Sequence, residues 1–306
     1  MATLLLGILL YVVLGIVKQA VDPGAIKLDT GDTPEALTPP AIASRTDLEL
    51  ALKGNRLDAD ALIDASINWY DSRGYLGILT VFGRNQASTI QTLYRTIPAS
   101  ELLALAGDGD IAAAQALAEN SLSGDNNNPL EALEWYRQAA SYGSVYAMFR
   151  ISELLRIFAD RQLDAFSSDP LYAQRLAQLR NNNPLIERDA LAWALTGILA
   201  GGLPVAQTAN AENIGVMAAK LGTTRTAHAC DKASRLLLEL AAERRLRGRL
   251  VFSAEPPPLF VSTPRLSNAL PCESFVIPII STKNCKAVVL PVLINPNQTL
   301  WHCQPN

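Results

Sequence analysis

Two histidines and four cysteines are the residues of this 306-residue chain best suited to hold a metal or to form a covalent cross-link. His228 lies two positions before Cys230, His302 directly precedes Cys303, and Cys272 and Cys285 fall between them. Thiolates and neutral imidazoles build tetrahedral zinc sites, above all in a reducing compartment. Here the spacing follows no zinc finger and no Cys-x-x-Cys occurs. An even number of cysteines, three of them in a Pro-rich tail, points instead to two disulfides in an oxidising compartment. Asp58, Asp60 and Asp64 could act as acid and base of a hydrolase, but charges so spaced are more simply the wet face of a helix. Gly107-Asp-Gly-Asp110 lacks the glutamate and spacing of a calcium loop and reads as a turn into a helix. No Gly-x-Ser-x-Gly, His-Glu-x-x-His or phosphate loop is present. Asn297-Gln298-Thr299 is a glycosylation sequon only in a eukaryotic secretory pathway. We therefore expect no catalytic residue, no cofactor and no metal ligand.

The elements that would position these residues begin with an uncharged run over residues 2–17. Continued to Val21, with Lys18 snorkelling to the headgroups, it makes roughly 30 Å of helix, the thickness of a hydrocarbon core. Signal-peptide cleavage lacks a small-x-small site, since Lys18 precedes Ala20 and Pro23 precedes Ala25 by two positions. No cysteine follows for a lipoprotein signal. Residues 1–21 are thus expected to be a single-pass transmembrane anchor. Lys18 and Lys27 on its far side would leave the body in the cytoplasm by the positive-inside rule. The cysteines argue the other way and weigh more, so the body is expected in the periplasm of a bacterial inner membrane. Residues 22–44, with four prolines before Ala41, read as an extended tether.

Apolar residues make up 49% and charged residues 18%, with mean hydropathy +0.14, which excludes a disordered chain. A net charge of −3 gives nucleic acid no attracting field. Over residues 45–249 the apolar residues recur at helical spacing, and prolines sit at segment boundaries, so this domain should be all-α. It also repeats itself. Gly109, Ala113 and Leu117 recur 34 residues on as Gly143, Ala147 and Ile151. Asn126-Asn-Asn-Pro129-Leu130 returns 55 residues on as Asn181-Asn-Asn-Pro184-Leu185, one such unit plus about 21 inserted residues within 158–178. Ala132 and Trp135 match Ala190 and Trp193, and a fainter copy lies near Trp69-Tyr70 and Gly74. Asn128 should cap a helix opened by Pro129, with Glu131 completing a capping box. Ala132, Trp135 and Ala139 would then share a face beside Leu133, Tyr136 and Ala140, and Gly143 would end the helix in the left-handed region.

Gly-x-x-x-Ala-x-x-x-Leu, a Gly124-Asp125 loop, then Ala-x-x-Trp-Tyr-x-x-Ala-Ala-x-x-Gly resembles the Sel-one-like repeat, a relative of the tetratricopeptide repeat. The match runs from Gly109 to about Ile151. A degraded copy covers 181–206, where Ala194 replaces the tyrosine and Gly197-Ile198 the alanine pair. The resemblance implies an irregular α-solenoid of antiparallel helix pairs that acts as an adaptor or scaffold, often in bacterial envelope assemblies. It implies no catalytic residues. The expectation is a membrane-anchored, non-enzymatic adaptor with a protein partner and neither a nucleic acid nor a small-molecule substrate. An envelope hydrolase and a cytosolic zinc-stabilised scaffold are the alternatives.

A final helix over 223–247 should place Cys230, Ala233, Leu237, Leu240 and Ala241 on one stripe and cap the array. Arg244, Arg245, Arg247 and Arg249 at its end suit that helix's own C-terminal dipole better than a lipid or nucleic-acid patch. Residues 250–306 form a Cys-containing extension, with a short hairpin predicted from 275–280 and 287–294 about Thr282-Lys283-Asn284. That hairpin would set Ser281 opposite Cys285 and leave Cys272 too far away to bond it. Cys230 then pairs with Cys272 or Cys285, and the remaining cysteine with Cys303.

Overall fold

Why the middle of the chain is helical is visible at its ends and faces. The computed structural model describes residues 52–53, 57–75, 89–122, 128–159, 170–201, 210–249, 252, 258–262, 271–272, 285–288 and 299–303. Ten helices are described: α1 (Ala59–Asp71), α2 (Thr89–Thr96), α3 (Ala99–Gly107), α4 (Ile111–Leu122), α5 (Pro129–Tyr142), α6 (Val145–Ala159), α7 (Pro170–Asn182), α8 (Ile186–Gly201), α9 (Asn210–Leu221) and α10 (Thr223–Leu246). The predicted all-α body is therefore observed. The expected anchor (1–21) and tether (22–44) lie outside the described residues. Among the described residues no helix is long and apolar enough to cross a membrane.

The helix ends follow the chemistry of their caps. Asn128 accepts from the Glu131 amide, Pro129 occupies the first turn of α5, and Gly143 ends it at φ +114°. The capping box is a variant: the Asn128 side-chain amide donates to Glu131 Oε2 at 3.2 Å, while its backbone N–H goes to Ser121 O at 2.6 Å. Asp110 caps α4 through the Ala113 amide at 3.0 Å, after a turn in which Gly109 has φ +91°. Ser144 repeats the device for α6, accepting from Ala147 N at 2.9 Å. Two residues thus separate α5 from α6, and the two helices pack together as a hairpin.

From α3 to α6 each helix packs on the next: α3 on α4, α4 on α5, α5 on α6. Helix α7 overlaps the segment expected to be an insertion, and its fully buried Leu176 holds it among α5 and α6. The most extensive pairing then joins α6 to α8, and α8 packs in turn on α10. Nearly every residue of α8 is buried, as expected for a helix enclosed on more than one side. Close approach depends on small residues. A Cβ on Gly197 would stand 2.9 Å from the Phe149 ring of α6, and Thr196 Oγ1 donates 3.3 Å across to Ala233 O of α10.

The cysteine-bearing extension forms a three-stranded antiparallel sheet in the order β1 (Leu259–Ser262), β3 (Thr299–Cys303), β2 (Cys285–Val288). Strand 275–280 of the expected hairpin lies outside the described residues. The second strand begins two residues early, at Cys285, and pairs with 299–303, so Cys285 faces Cys303. The sheet rests on α1: Leu259 N donates to Ser66 Oγ at 3.1 Å, and Leu52, Ala59, Ile63, Leu259 and Val288 make a small second core. Of the two pairings left open, the disulfides are Cys230–Cys272 and Cys285–Cys303, with Cα atoms 5.9 and 4.0 Å apart. No cysteine is free.

Candidate interaction groove

The residues singled out for packing are mostly interior. Ala113, Ala132, Tyr136, Ala139 and Ala147 are fully buried, Leu117, Ala190 and Trp193 nearly so, and Trp135 half-buried against the same core. Gly143 works as a cap, as described above. Buried Tyr136 donates its phenol to Glu119 and receives Arg150 Nε at 3.3 Å, while Arg150 also pairs with Glu153 at 2.5 Å. Burial pushes the Tyr136 phenol well up, against the opposing pull of Arg150. Tyr146 is pushed up to about 12 for the same reason. Tyr94 reaches about 12 through burial and its bond to Asp110. These phenols belong to the helix packing rather than to a cleft.

The acids weighed for catalysis lie in solvent at the start of α1. Asp58 caps α1 through the Ala61 amide at 3.1 Å, and Asp60 and Asp64 are exposed on that helix. His228 is exposed on α10, whereas His302 sits in β3, where burial and Lys286 lower its proton affinity. The disulfides take all four cysteine sulfurs out of the zinc set first weighed.

The arginines at the end of α10 do something other than expected. Arg245 is exposed, but the other three reach distant parts of the chain. Arg244 donates to the Tyr142 carbonyl at the end of α5, and Arg249 Nη2 donates to the Gly109 carbonyl after α3 at 2.6 Å. Arg247 Nη1 reaches the Tyr142 hydroxyl at 3.1 Å, and the guanidinium groups of Arg247 and Arg249 each lie 4.9 Å from the Tyr142 ring centre. Burial and the nearby Arg249 lower the proton affinity of Arg244. Gly109 and Gly143, the pair spaced 34 apart, leave the room: a Cβ on either would overlap the arginine it faces. The terminal carbonyl of α5 and the Gly109 carbonyl of the turn between α3 and α4 thus hold one cationic cluster.

Beside this clamp lies a groove of about 330 Å³ between α5, α8 and α10. Its floor is Trp193, Leu236 and Leu240, all buried; its walls carry Arg137 on α5, Glu239 and Glu243 on α10, and Arg247 at the C-cap of α10. Gln138 stiffens the α5 wall, donating to Ala106 O at 3.1 Å and to the Tyr142 hydroxyl at 2.7 Å. The Arg137 guanidinium lies 6.0 Å from the Trp193 ring centre. Among the described residues no carboxylate pairs with Arg137 and no cation with Glu239 or Glu243. Of the lining residues, sequence reasoning named Trp193, Leu240 and Arg247, each for another role. The rest read as ordinary helix surface, and no local signal marks them. No family model, curated protein or solved structure matches the chain.

Proposed function

We propose that this protein is a membrane-anchored, non-catalytic adaptor of a bacterial cell envelope, built on helical hairpins of the Sel-one-like kind, that docks a partner protein between α5, α8 and α10. The observation that carries the reading is the groove itself: Trp193, Leu236 and Leu240 at its floor, and at its rim Glu239 and Glu243, which pair with no cation among the described residues. Interfaces concentrate binding energy in such places, where an aromatic anchor is ringed by polar groups. The helix pairs and the glycine ends at 109 and 143 support the repeat resemblance. The uncharged N-terminal run supports the anchor, and two disulfides support an oxidising compartment.

The test is site-specific cross-linking in cells. A photoreactive amino acid at position 239, in the groove wall, should yield a discrete protein adduct, and one at exposed position 216 on α9 should not. No adduct from 239, or the same adducts from both positions, would overturn the docking reading.

A further inference from the structure

The charges around the groove constrain what occupies it. Arg137 stands on the α5 wall; Glu239 and Glu243, one turn apart, stand on the α10 wall. Helical spacing also offers Glu243 a partner four residues on, Arg247, but that guanidinium is committed to the Tyr142 ring and hydroxyl. Two carboxylates are thereby left facing the groove. A uniformly apolar occupant would take water from them and offer no partner in its place. An acidic occupant would add like-charge repulsion. A basic one restores the lost solvation and pairs across the interface.

Resting on the adaptor reading, we infer that the occupant is a partner-protein segment that seats one large apolar side chain over Trp193, Leu236 and Leu240, and carries a lysine or arginine beside Glu239 and Glu243 and a carboxylate toward Arg137. The volume sits at the small end of ligand pockets, room for one bulky side chain rather than a long helix face. Recognition is therefore by an anchor residue with charged flanks, and the flanks set polarity: the segment runs in one direction across α5 and α10.

The experiment pans a random twelve-residue peptide library against the full purified chain and measures selected peptides by fluorescence anisotropy. Peptides with a large apolar residue flanked by a basic residue should be enriched. Binding should weaken at least tenfold on the double change Glu239→Lys with Glu243→Lys, and should return when the peptide's basic flank is made acidic. Both glutamates are exposed, and circular dichroism and melting of the variant confirm that it stays folded. No enrichment, enrichment of peptides without a basic flank, or indifference to charge reversal each overturns the proposal. So does self-association abolished by the double change, which would make the occupant a second copy. A 239-specific adduct in cells combined with no basic-flanked peptide would sink this specificity alone and leave the adaptor standing.

Discussion

Gly143 and Gly107 end neighbouring helices, yet only one of them must be glycine. Gly143 has φ +114°, and a Cβ there would overlap the Arg244 guanidinium; around Gly107 there is open space and ordinary helical backbone. The left-handed region costs an L-residue about 1–2 kcal/mol. Gly143→Ala should therefore lower the unfolding free energy by about 2 kcal/mol, with the arginine displaced as well. Gly107→Ala should be neutral or slightly stabilising, by up to about 1 kcal/mol. Urea denaturation of the two variants checks the pair, and equal effects would contradict the clamp geometry. Asn128→Ala removes the α5 cap and should cost about 1 kcal/mol in the same assay.

Between elements, the decisive contacts are those of α10. Its buried stripe is Thr226, Ala229, Cys230, Ala233, Leu236 and Leu240. The expected stripe shared Cys230, Ala233 and Leu240 but took half-buried Leu237 and Ala241 in place of Leu236. Apolar spacing finds the face of a helix only to within a neighbour when three leucines stand in a row. The array's last helix also does more than cap it, since α10 contacts α5 and its arginines reach turns 102 and 140 residues back. In an open solenoid each unit would touch only its neighbours. The double change Arg244→Met with Arg249→Met keeps the aliphatic stems and removes both carbonyl contacts. It should lower stability by about 1–3 kcal/mol, given partial exposure, and weaken peptide binding in the groove. Unchanged binding with lowered stability would show that the clamp does not set the groove's width.

Across the whole molecule, two covalent ties and a buried set of phenols govern stability. Cys230–Cys272 closes a longer stretch of chain than Cys285–Cys303, with separations of 42 and 18. By loop entropy they contribute about 4 and about 3 kcal/mol. Mass spectrometry of unreduced peptides should recover those two linkages, and alkylation of the native oxidised protein should find no thiols. The phenols of Tyr70, Tyr75, Tyr136 and Tyr146 are all raised above 10 by burial. Above pH 10 the unfolded chain loses those protons while the folded one keeps them, so stability is whole below pH 10 and declines as pH rises through the raised values. Melting midpoints from pH 8 to 12 should be flat at first and then fall. A midpoint unchanged at pH 11.5 would contradict the burial.

Local signals carried a good part of this architecture. Asn128-Pro129, Asp110, Gly143 and the alanine-rich faces specify helices and their ends by interactions within a few residues, which a linear reading captures. Elimination of Cys272–Cys285 also left the observed disulfide pairing as one of two. What no linear reading could supply is which distant partner each group meets. The arginines look alike along the chain and differ only because Gly109 and Gly143 open onto two of them. Arg137, Glu239 and Glu243 are indistinguishable from solvated surface until α5 and α10 are brought side by side. The groove belongs to contacts between residues a hundred positions apart, and those energies exist only once the chain has closed on itself.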